Sequence, residues 1–145
     1  MTPTESRPFH MTLMSLAALV WYVAVALDYV AARYDRVANL PGLPEGMGLG
    51  YEVMPLWAAV ATGVAVWLGL FGAILMLLRD RMAVLSFAFT FIAALVSVVW
   101  VLQFSAEGPR EWLGMTPVQV MAAQVLVPFV LWVYTRSLKQ RGVFG

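Results

Sequence analysis

Asp28, Gln103, Gln119 and Gln124 stand within, or at the ends of, apolar runs of about twenty residues, the length that crosses a bilayer. A polar side chain at such depth costs free energy unless it is partnered, so each of the four is a candidate for holding a proton, a cation or a small solute. Asp28 alone carries charge. It lies about one turn inside the end of its run, where a carboxylate also opposes the negative end of the helix dipole if the helix stops there. A helix running on to Arg33 and Arg36 removes that second penalty. Gln124 is the most deeply placed amide, and Pro128 has no N–H to give to its backbone carbonyl, which places a second acceptor at the same level.

These residues support two readings. In the favoured one, Asp28 reaches the interface and pairs with Arg33 or Arg110, while the glutamines hydrogen-bond between helices and stabilise a bundle. In the other, Asp28, Gln103 and Gln124 line a small outward-facing cavity that binds a solute or a proton. Catalysis has less to build on. The sole histidine, His10, falls at the opposite end from Asp28 and reads as an interfacial residue, because a zinc or haem site needs ligands that do not accompany it. There is no cysteine, which removes thiol chemistry, disulfides and cysteine metal sites. No nucleophile triad, phosphate loop or metal-ligand spacing is present, so neither a metal, a cofactor nor a nucleic-acid partner is expected.

The elements that must position these residues are four apolar runs, residues 11–30, 55–78, 82–104 and 118–134. At 1.5 Å per residue each spans roughly 25 to 36 Å. Composition agrees: 62% of residues are hydrophobic and 12% charged, about half the charge of a soluble domain. The mean hydropathy is +0.82. The expected fold is an all-α membrane protein, a compact four-helix bundle forming a single domain over residues 1–145. The Ala24-Val25-Ala26 triplet behind Arg7 and an apolar stretch resembles a signal-peptide cleavage site. Retention is the stronger reading, since the apolar run continues past the triplet and bulky Trp21 and Tyr22 precede it.

With four spans, the N-terminus, the second connection and the C-terminus share one side. That side holds Arg7, Arg79, Arg81, Arg136, Lys139 and Arg141 against Glu5 and Asp80, a net +4. The other holds Arg33, Arg36 and Arg110 against Asp28, Asp35, Glu45, Glu52, Glu107 and Glu111, a net −3. Basic residues in short loops resist export, so both termini are expected in the cytoplasm. Arg79-Asp80-Arg81 is so short that the second and third helices must form an antiparallel hairpin. The first helix is expected to extend to near Leu40 before Pro41, Gly42 and Pro44 break it. Thr116-Pro117-Val118-Gln119 reads as a capping box with proline at the first helical position.

Within the membrane, small residues at four-residue spacing let backbones approach. Ala61, Ala65, Gly69 and Ala73 form such a ribbon on the second helix, and Ser86, Thr90 and Ala94 a shorter one on the third. Both are expected to pack within the chain, across the hairpin, rather than between copies. The methionines read as lipid-facing or gap-filling side chains. Most of the tryptophans read as interface or packing residues, with Trp21 and Trp67 deeper than a belt explains.

Met54-Pro55-Leu56-Trp57, the run Gly72-Ala73-Ile74-Leu75-Met76-Leu77-Leu78-Arg79-Asp80-Arg81 followed by Ala83-Val84, and the tail Leu131-Trp132-Val133-Tyr134 before Arg141-Gly142 resemble a group of small bacterial four-helix inner-membrane proteins. The likeness covers most of the chain, including span order and loop lengths. Some members carry the loose label of sugar transporter, which no motif in such sequences explains. The resemblance implies a bacterial inner-membrane location and this topology, and transfers no active residue. The chain is therefore expected to be a non-enzymatic accessory or scaffold protein. Its partners would be the lipid bilayer and either a membrane-protein assembly or further copies of itself. A small transporter or solute-binding protein is the alternative.

Overall fold

The computed structural model describes residues 8–33, 54–104 and 114–144. They form α1 (Phe9–Arg33), α2 (Leu56–Leu77), α3 (Met82–Gln103) and α4 (Pro117–Gln140), and all four helices are long and apolar enough to cross a membrane. At 1.5 Å per residue they measure roughly 33 to 38 Å, slightly more than a hydrocarbon core of about 30 Å. The chain is an all-α, four-helix membrane bundle. α2 lies against α3, α1 against α2, and α4 against α3. α1 runs unbroken through Ala24-Val25-Ala26, with Val25 and Ala26 buried against the other helices. Its expected extension beyond Arg33 lies outside the described residues.

The N-terminus of α1, the α2–α3 turn and the C-terminus of α4 meet at one end of the bundle, the basic end. The α2–α3 turn closes in a Schellman motif: Asp80 N–H donates to Leu75 O at 2.9 Å and Arg79 N–H to Met76 O at 3.2 Å. Arg79 takes the left-handed position at φ 64°, where glycine is the usual residue. α4 ends the same way. Val143 N–H donates to Leu138 O and Gly142 N–H to Lys139 O, both at 3.1 Å, with Gly142 at φ 73°. The two motifs are tied together, because the Arg79 guanidinium donates to Val143 O from Nη2 at 2.8 Å and from Nε at 3.2 Å. Asp80 Oδ1 accepts from Met82 N–H at 2.8 Å and starts α3.

The α4 boundary differs most from the apolar runs. Hydropathy stops at Tyr134, yet the helix continues to Gln140. Thr135 and Leu138 keep facing the core, so burial at helical spacing outlasts the purely apolar stretch. At the other end, Thr116 and Gln119 form the expected capping box, Thr116 N–H donating to Gln119 Oε1 at 3.0 Å and Gln119 N–H to Thr116 Oγ1 at 3.4 Å.

The small-residue ribbons fit in part. On α3, Ser86, Thr90 and Ala94 are all buried, and Ser97 continues their line. On α2 the buried face runs through Ala58, Thr62, Val66, Gly69 and Ala73, while Ala61 and Ala65 are only half-buried. The ribbon also meets a different neighbour from the one expected. A Cβ on Gly69 would overlap the ring of Tyr22, on α1 and not across the hairpin. Gly72, one turn on, faces Phe87 and Ser86 of α3, with Phe87 Cε1 3.1 Å from where a Cβ would stand. Tyr22 and Phe87 lie against each other, ring centroids 6.3 Å apart. Two adjacent notches on α2 thus receive one ring from each flanking helix.

Candidate functional site

The polar layer of the bundle is built on the halves of the helices away from the basic end. Thr62 on α2 and Ser97 on α3 face each other, Oγ1 to Oγ 3.0 Å, and both are buried. Thr62 Oγ1 also lies 2.9 Å from Ala58 O, and Ser97 Oγ 3.0 Å from Ala93 O. The two hydroxyls have two protons for three such contacts, so one donates across the helix pair while the other donates to its own helix. A turn or two toward the basic end, Thr90 Oγ1 donates to Ser86 O at 2.9 Å, and Ser86 Oγ reaches across to Leu68 O of α2 at 2.7 Å. Serine and threonine at these positions act as interhelical glue while using helix carbonyls as acceptors.

Between these groups and α1 and α4 lies a cavity of about 40 Å³, bordered by Trp21, Tyr22, Val25, Thr62, Ser97 and Gln124 among others. That is room for one to three water molecules. The Tyr22 hydroxyl is buried and has no hydrogen-bond partner among the described residues. Burial without a partner leaves that O–H able to donate to a water or a small ligand.

The sequence-derived cluster is only partly assembled. Asp28 is 0% exposed, one turn beyond Val25 on the inward face of α1 and next to the cavity without lining it. It is a buried group. Gln124 is half-buried and lines the cavity. Gln103, the last residue of α3, is exposed, and exposed Gln119 is engaged in the capping box. Neither joins Asp28 in a site. Arg110 and the side chain of Arg33 lie outside the described residues, so the expected pairing of Asp28 with either does too. Thr62, Ser97 and Tyr22 were not singled out from sequence. Ser97 stands three residues beyond Ala94, and Thr62 one residue off the Ala61 ribbon, so helical periodicity near 3.6 rather than strict four-residue spacing would have found these hydroxyls.

His10 occupies the basic end. Its Nδ1 is 2.6 Å from the Tyr134 hydroxyl, and the rings meet edge-on with centroids 6.0 Å apart, joining α1 to α4. It serves as an exposed helix-to-helix contact. Of the methionines, Met11 and Met76 fill the core, whereas Met82 is exposed.

Compared with protein-family models, curated proteins and solved structures, the chain matches none.

Proposed function

We propose that this integral membrane protein is a non-enzymatic accessory or scaffold component of a bacterial inner-membrane assembly, with both termini in the cytoplasm. The observation that supports the reading is the size of the cavity between the helices among the described residues: a space for one to three waters does not admit a sugar. Much of the polar layer around it is engaged within the bundle. What remains for function is the perimeter, where residues such as Phe71, Phe89 and Ile92 are exposed on faces that meet lipid or another membrane protein. The excess of basic residues beside both termini supports the orientation.

A second reading draws on Asp28. A carboxylate with no exposed surface, one turn from a cavity bordered by Gln124 and an unpartnered tyrosine hydroxyl, is also how a proton or cation site is built. Reconstitution into proteoliposomes separates the two. Native protein is expected to show no saturable uptake of common sugars or ion-driven solutes, and Asp28→Asn is expected to keep any stoichiometric partner through gentle-detergent purification. Saturable uptake by native protein that disappears in Asp28→Asn would replace the scaffold with a transporter.

A further inference from the structure

The α3–α4 face at the basic end carries a groove of about 490 Å³ lined by Val84, Trp132, Arg136, Lys139 and Gln140. We propose that this groove binds the phosphate headgroup of an anionic phospholipid, with an acyl chain lying along the aromatic shelf beside it. The proposal is independent of the scaffold reading.

Depth is the first argument. The apolar part of α4 ends at Tyr134, and the helix continues to Gln140. At 1.5 Å per residue Arg136 and Lys139 stand roughly 3 and 7.5 Å beyond that edge. The headgroup region extends about 5 to 7.5 Å past the hydrocarbon on each side, so both cations lie at the level of lipid phosphates. Lys139 follows Arg136 by three residues on one face of the helix, and Trp132 precedes it by four.

Charge is the second. Among the described residues, neither Arg136 nor Lys139 forms an ion pair and no carboxylate lines the groove. Asp80 is the only acidic side chain at this end among the described residues, and its Oδ1 is engaged by Met82 N–H. Val84 brings the first turn of α3 to the groove, and with it the positive end of that helix dipole. The Schellman motif meanwhile supplies donors to the carbonyls of Leu138 and Lys139, which would otherwise face an anion. An anionic phosphate complements this surface. A choline headgroup does not, since its ammonium would be set against two cations. The ring of Trp132 is also already engaged, with Phe91 stacked on it at an interplanar angle of 5° and the Arg136 guanidinium 5.8 Å from its centroid.

The third argument is continuity with the hydrocarbon. Phe91, Phe129 and Trp132 form one aromatic group, with centroids 5.3 Å apart for Phe91–Phe129 and 6.2 Å for Phe129–Trp132. It leads from the groove toward the bilayer centre. A bound lipid would lay its phosphate on Arg136 and Lys139, its glycerol near Trp132 and a chain over Phe129. Basic pockets between helices at the cytoplasmic interface are suited to such headgroups.

The test uses full-length protein in a neutral detergent, titrated with phosphatidylglycerol, phosphatidylcholine or inorganic phosphate and followed by native mass spectrometry. One phosphatidylglycerol is expected to bind saturably, more tightly than either other probe. Arg136→Gln or Lys139→Gln should each weaken it about fivefold, and the double variant roughly thirtyfold. Arg81→Gln, an exposed cation that does not line the groove, should change it less than twofold. Both groove residues are exposed, and unchanged circular dichroism of the variants verifies their fold. Equal binding of phosphatidylcholine, an Arg81→Gln effect as large as that of Arg136→Gln, or inorganic phosphate binding as tightly as the lipid would each overturn the proposal.

Discussion

The half of the bundle toward the basic end and the half toward the opposite end are held together by different means. In the first, Met11, Tyr22, Met76, Phe87, Leu138 and Phe144, drawn from all four helices and the segment after α4, belong to one buried apolar cluster. It is sealed by the Arg79–Val143 tie and the His10–Tyr134 contact. In the second, the apolar cluster around Val25, Val66, Trp100 and Val120 shares its level with the Thr62–Ser97 pair, Gln124, Asp28 and the small cavity. Lipid gives helices no hydrophobic reason to associate, so each half relies on close packing or on hydrogen bonds. Both halves bury hydroxyls, Ser86 bonding across to Leu68 O toward the basic end and Thr62 to Ser97 in the other, but the second half also holds buried Asp28 and the small cavity. A void and a buried carboxylate cost stability, so the second half is expected to be the less stable of the two.

The largest effect is expected where the packing is tightest. Gly69→Leu puts a branched side chain into the space of the Tyr22 ring and should cost at least about 3 kcal/mol, read as a large fall in thermal stability in detergent. Met76→Leu, in the buried cluster that also holds Tyr22, conserves volume and should cost under about 1.5 kcal/mol. Native-like stability of Gly69→Leu would mean that α1 does not approach α2 there, and the contrast between the halves would lose its basis.

Why the sequence revealed some of these features and not others follows from what hydropathy and spacing can encode. Span number, the tight hairpin and the α4 capping box are local, and each depends on residues within a few positions of one another. The partner of a packing face is not local. Gly69 announces a close approach, but nothing near it says that the ring filling the notch is Tyr22 of α1 rather than a residue across the hairpin. Polarity was similarly blind to azimuth. Gln103 and Gln119 sit at helix ends where the chain leaves the bundle, and only Asp28 and Gln124 share the inward direction with the cavity. The extension of α4 past Tyr134 was hidden because charged residues interrupt the apolar run while Leu138 still faces the core.

The two ends of the bundle close by different devices. Arg79 combines a left-handed backbone with two hydrogen bonds to Val143 O. Arg79→Ala keeps the strain and loses the bonds, and should cost about 1.5 to 3 kcal/mol. Arg79→Gly loses the same bonds but relaxes the backbone, and should be roughly 1 kcal/mol more stable than the alanine variant. Thermal unfolding of the two variants side by side reads the order. At the opposite end the α4 capping box has no such tertiary tie among the described residues, and Thr116→Ala should cost only about 1 kcal/mol. An Arg79→Gly variant less stable than Arg79→Ala would show that the turn is not strained.

The smallest effect belongs to the His10–Tyr134 contact. Its 2.6 Å separation marks a well-formed hydrogen bond, yet the pair is exposed, and exchange with interfacial water leaves little net gain. Removing either partner also deletes some ring contact, so single variants overstate the bond. The coupling energy from His10→Ala, Tyr134→Phe and the double variant isolates it and should be about 0.5 kcal/mol. If the basic end is held chiefly by its buried cluster and backbone caps, that small value is what the cycle should return. A coupling above about 2 kcal/mol would move the weight of that end from the packed interior to its rim, and would make α1–α4 closure, rather than the Tyr22–Gly69 fit, the step that completes the bundle.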